Sequence, residues 1–145
     1  MITLSLLKLL EDEGFGVVSI TGEEPGADLF YQNITLDKKG IYIADIGDPV
    51  ERHSRDTQSY QLLARGSSNL DGSYKLSQIR KYLIANYTDI CELPSMTVQI
   101  DGVNVTIPAY TNVELSKPST ITNVGLDAQN RIIYSMTGQI IYKEK

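Results

Sequence analysis

Met96-Thr97-Val98-Gln99-Ile100-Asp101-Gly102-Val103-Asn104-Val105-Thr106-Ile107 holds two runs in which apolar and polar residues alternate around an Asp-Gly pair. Alternation with period two is the pattern of a half-buried strand, and Asp-Gly tolerates the positive φ that both centres of a type I′ turn require. The register follows from the same residues. If Ile100 pairs with Val103, then Val98 faces Val105 and Met96 faces Ile107, and Thr97, Gln99, Asn104 and Thr106 fall on the other face. The stretch is expected to be a β-hairpin with one core face and one wet face.

Upstream of the hairpin, Leu93-Pro94 is a breaker, and before it Ser73 to Tyr87 reads as the best helix of the chain. Leu76, Ile79, Tyr82, Leu83 and Tyr87 recur at steps of three and four, with Lys75, Gln78 and Lys81 off that stripe, so this helix should lie across a sheet face. Gly66 to Gly72 reads as a flexible link into it. Gln58 to Arg65 has strand periodicity. Leu29 to Leu36 and Ile41 to Ile46 are apolar, β-branched runs, and Asp37-Lys38-Lys39-Gly40 between them suits a hairpin connection. Ile41 and Ile43 on one face, with Tyr42, Ala44 and Ile46 on the other, place the second run inside a sheet. Gly47 to Asp56 is a polar loop of mixed charge, long for a hairpin and of the kind that serves in binding.

At the N-terminus, Ile2, Leu6, Leu9 and Leu10 share one face of a short amphipathic helix. Gly14 is placed to cap it with Phe15 folding back, while Glu11-Asp12-Glu13 oppose the helix dipole. A short strand over Gly16 to Ile20 and a loop over Thr21 to Gly26 follow. The last third is β-rich, with strands expected at Thr111 to Leu115, Thr120 to Leu126 and Arg131 to Tyr142, the last with Gly138 as the place for a bulge or kink. These elements predict an α+β fold over residues 1–145 as a single domain. Its sheet is mixed and mainly antiparallel, a long helix at about 73–87 and a short N-terminal helix pack on it, and β-hairpins complete it.

The chain has 145 residues, 41% hydrophobic and 21% charged, which are globular values. A net charge of -5 is the wrong sign for neutralising phosphate, so nucleic acid and anionic lipid are not expected partners. Cys91 is the sole cysteine, which leaves no intrachain disulfide and no thiolate metal site. The apolar start lacks a basic region and a cleavage site, and no segment reaches the ~18 apolar residues of a membrane span. The sequons at Asn33, Asn86 and Asn104 are read as chance matches on this basis.

No catalytic constellation stands out. His53, the only histidine, sits in the charged loop with Asp48, Glu51 and Asp56 near it, as in any polar loop. There is no phosphate-cradling Gly-rich turn, and Asp127-Ala128-Gln129-Asn130 lacks the spaced acids of a calcium loop. No cofactor and no metal are expected.

Ala27-Asp28-Leu29-Phe30, the run Gly40 to Ile46 ending in Gly47-Asp48-Pro49, Tyr60-Gln61-Leu62-Leu63-Ala64-Arg65-Gly66 entering a helix, and Asn123-Val124-Gly125-Leu126-Asp127 with Arg131 are the residues that carry a family likeness. In them, and across most of residues 1 to 143, the chain resembles the minor capsid or tail terminator (tail completion) proteins of tailed phages. The resemblance implies a non-enzymatic virion protein, assembled in the host cytoplasm. It would form a ring, commonly a hexamer, on the tail tube at the end nearest the head. Its partners would be further copies of itself, the major tail tube protein and the head-tail connector proteins. From loop composition and length, not from a matched motif, the expected contact residues are Asp48, Glu51, Arg52, Arg55 and Asp56, with Ser67, Ser68 and Asn69 of the glycine-flanked link. The rival from another class is a monomeric acidic module that binds or inhibits a basic protein, and a third reading is a small hydrolase built on His53.

Overall fold

The structure, a computed structural model, describes residues 2–20, 26–31, 39–52, 54–66, 69–86, 90–126 and 130–143. Among the described residues, two helices and ten strands follow in the order α1 (Ile2–Asp12), β1 (Val18–Ser19), β2 (Leu29–Tyr31), β3 (Gly40–Arg52), β4 (Arg55–Arg65), α2 (Asn69–Asn86), β5 (Ile90–Leu93), β6 (Met96–Ile100), β7 (Val103–Ile107), β8 (Tyr110–Leu115), β9 (Thr122–Leu126) and β10 (Ile132–Tyr142). The chain is thus α+β with a mostly antiparallel sheet. Eight strands form that sheet in the order β1-β2-β3-β4-β10-β8-β5, with β9 also on β10, and β6-β7 stands apart as a two-stranded hairpin.

The separate hairpin has the register read from its alternation, Met96 opposite Ile107, Val98 opposite Val105 and Ile100 opposite Val103. Asp101 (φ 52°) and Gly102 (φ 77°) adopt the positive φ the turn demands. Val98 and Ile107 are buried in the main core, whereas Val103 near the tip is exposed.

α1 ends as its sequence dictates. Gly14 takes φ 87°, its N–H donates to the Glu11 carbonyl at 3.0 Å, and the Phe15 N–H donates to the Leu10 carbonyl at 2.9 Å, the paired bonds of a glycine-capped helix end. The acidic last turn is partly compensated: the Lys8 ammonium lies 2.6 Å from Glu11 and 3.3 Å from Asp12, and Glu11 accepts the Val18 N–H at 2.6 Å. The helix is less amphipathic than its spacing suggests, because every residue from Ile2 to Leu7 is buried, Thr3 and Ser5 included. The reason is the sheet. α1 touches β1, β2, β3 and β4 and also β5 at the far end of the strand order, so the sheet curls around it. Leu4, Leu6, Leu7 and Leu10 go into this core, each burial worth about 1.5–3 kcal/mol.

Register separates the two faces of the sheet. Ile41 and Ile43 of β3, Tyr60, Leu62 and Ala64 of β4, and Met136 and Ile140 of β10 share one face and pack on both helices. Ile46, Ser59, Gln61, Thr137, Gln139 and Ile141 share the other, on which no helix lies among the described residues. β10 is central, with β4 along one edge and β8 and β9 end to end along the other. Between β8 and β9, Pro118 has no N–H to give, and the ladder is carried instead by serines: Ser116 Oγ accepts the Gln139 N–H and Ser119 Oγ the Thr137 N–H, both at 2.9 Å.

Several expectations need correction. β2 and β3 are parallel, Leu29 opposite Ile41, so they are not the expected hairpin. β2 is described over Leu29–Tyr31, and the rest of the expected run to Leu36 lies outside the described residues. Gly40 permits the close parallel approach, since a Cβ there would lie 2.5 Å from the Asp28 carbonyl oxygen. Gly47 to Asp56 is not a loop: β3 runs on to Arg52 and β4 begins at Arg55. α2 starts at Asn69, so the end of the expected flexible link is helix. Gly66 and Gly72 are there for proximity, a Cβ on Gly72 coming within 3.0 Å of the Gly66 nitrogen. β5, which ends at Leu93 just before Pro94, was not anticipated. Gly138 stands in regular register opposite Tyr60 and hosts no bulge on that side; the shift on β10 falls at Ile133/Tyr134, against β9.

Candidate interaction surface

β3 and β4 run together as an arm along which β10 stays paired to β4 as far as Asp56, and its outer half is built around a bulge. Ile46 pairs with Ser59 and Val50 with Thr57, so Gly47, Asp48 and Pro49 oppose Gln58 alone. Two residues are extra. Gly47 supplies a positive φ of 69°, and a bulge is one of the few strand positions where proline is tolerated. Buried Gln58 fills in, its Nε2 donating to the Gly47 carbonyl at 3.1 Å and the Ser59 carbonyl at 2.9 Å.

At the tip, Glu51 faces Asp56 and Arg52 faces Arg55 across a tight turn in which Ser54 takes φ 65°. Arg55 is committed within the chain. Its guanidinium meets Glu114 of β8 at 2.7 Å and donates to the Asn112 carbonyl at 2.7 Å, which ties the tip across β10 to β8. Under the bulge a cleft of about 720 Å³ opens on the helix-free face, lined by Val50, Arg55, Thr57, Glu114, Gln139 and Ile141 among others.

Of the expected contact residues, the structure brings Asp48, Glu51, Arg52, Arg55 and Asp56 together on this arm, with Asp48 and Glu51 exposed. Asn69 is the first residue of α2, remote in the chain from the arm, while Ser67, Ser68 and His53 lie outside the described residues, as do Asp127 to Gln129. Sequence reasoning missed the apolar part of the surface. Ile46 and Val50, flanking the bulge, are 46% and 55% exposed, and Val124 and Leu126 on β9 are 51% and 61% exposed. Every residue of β9 is exposed, and its outer edge pairs with no strand among the described residues. The signal for Ile46 and Val50 was there in principle: two branched residues inside a stretch of Gly, Asp and Pro are what an extended bulged strand contains.

A second cleft, about 540 Å³, lies where β4 enters α2. Buried Arg65 lines it, and the Lys75 ammonium closes on Asp28 at 2.8 Å while Asp28 also accepts the Val17 N–H at 2.6 Å. These contacts join α2 to the start of β2. Elsewhere, burial pushes the Tyr60 phenol well above the usual tyrosine range. Glu11 is raised by burial, but the Lys8 ammonium and the Val18 N–H outweigh this and hold it below the usual carboxylate range. Among the described residues no group of three His, Cys, Asp or Glu side chains is placed to hold a metal ion, and no helix is long and apolar enough to cross a membrane. No protein-family model matches the chain, and no curated protein matches it.

Proposed function

We propose that this chain is a non-enzymatic structural subunit of a phage tail, a tail terminator that assembles as a ring, commonly a hexamer, on the tube end that faces the head. The observation that carries the reading is the sheet's helix-free side. It carries β9, whose outer edge pairs with no strand among the described residues, and an arm with exposed Ile46 and Val50, and exposed apolar strand surface of this kind invites pairing with another chain. Of the stretches resembling the tail terminators, Gly40 to Pro49 lies on β3 and its bulge, Tyr60 to Gly66 leads from β4 towards α2 and Asn123 to Leu126 lies in β9, while Ala27 to Phe30 leads into buried β2.

Closing a ring hides edges that would otherwise recruit further copies. One face of the ring would complement the tube end, and the opposite face, lacking the tube subunit's own self-complementary surface, would stop further addition. The partners on this reading are other copies of the chain, the major tail tube protein and the head-tail connector proteins, in the virion. Electron microscopy of the purified protein mixed with tail tubes tests it: density capping one tube end is expected, and tubes with bare ends together with a protein that forms no rings would sink the proposal. A monomer that captures a basic protein in a salt-sensitive manner would instead support the inhibitor-type module that the net charge of -5 favours.

A further inference from the structure

We draw no further inference here: the strongest candidate, the cleft of about 540 Å³ where β4 enters α2, sets Lys39 and Lys75 against Asp28 and Asp71 with Lys75 already closed on Asp28, and nothing in the structure shows what class of ligand would occupy it.

Discussion

Substituting Gly138 by alanine puts a methyl group into a close contact within the sheet. Gly138 faces Tyr60 across β10 and β4, and an added Cβ would lie 2.5 Å from the Tyr60 Oη, 2.7 Å from Cζ and 3.0 Å from Cε1. Tyr60 is fully buried, so its ring has no solvent to swing into. Two effects oppose each other. Alanine loses less chain entropy than glycine in a strand, a gain of about 0.5–1 kcal/mol. Forcing a methyl group into a filled core costs about 1–3 kcal/mol. The second wins, and Gly138→Ala is expected to lower stability by roughly 1–2 kcal/mol. The hydroxyl that causes the nearest clash has no hydrogen-bond partner among the described residues. Removing an unsatisfied buried hydroxyl relieves a desolvation cost of about 1–3 kcal/mol, so Tyr60→Phe should be neutral or stabilising. In that background the cost of Gly138→Ala should fall by about 1 kcal/mol, short of complete relief because Cζ and Cε1 remain within 3.0 Å. Urea unfolding of the four proteins measures the cycle. Additivity within about 0.3 kcal/mol, or a Tyr60→Phe variant destabilised by more than about 1 kcal/mol, would refute the packing argument.

Arg55→Ala should leave global stability within about 1 kcal/mol, because the pair with Glu114 is partly exposed, yet hydrogen exchange at residues 50–57 should accelerate as the arm tip loses its tie to β8. Equal exchange in both proteins would mean that the tip is held by something else. Glu11 has a folded pKa below its unfolded one, so its contribution is complete above the ordinary carboxylate range and lost as pH falls through the depressed value. Glu11→Gln should thus cost stability at neutral pH, measured as a lower melting temperature, and the gap should close in acid; a constant gap across pH would contradict the assignment. Gly14→Ala should cost about 1 kcal/mol from backbone strain alone, since φ is 87° and nothing lies within 4 Å of the added Cβ, and chemical denaturation that finds no loss would place the strain elsewhere.

How much of this was legible in the chain depended on whether the signal was local. The β6–β7 register was fully readable because alternation and an Asp-Gly turn define each other within twelve residues. The α1 cap was readable for the same reason, with Gly14 and Phe15 next to the helix they close. What failed was non-local. Parallel pairing of β2 with β3 leaves no short-range mark, and Asp37-Lys38-Lys39-Gly40 carries the residues of a hairpin connection although the two strands pair in parallel. The bulge at Gly47-Asp48-Pro49 contains the residues of a loop, although Val50 to Arg52 still pairs with Arg55 to Thr57 beyond it. Asp48, Glu51, Arg52, Arg55 and Asp56 were singled out by loop composition and length, and the structure sets them on β3 and β4. Ile46 and Val50 were passed over because exposure of an apolar residue is decided by which face the helices cover. Leu70, 79% exposed, was missed for a related reason: the breakers Gly66 and Gly72 hid the first turn of α2, and their true role is the close passage of strand end and helix.

The account stands on self-assembly through exposed strand surface, and a native mass spectrum of the unmodified chain over a wide concentration range addresses it most directly. One closed species at a fixed multiple of the subunit mass, six being the number implied by the tail-terminator resemblance, is the predicted result. A single-subunit mass at every concentration would contradict it.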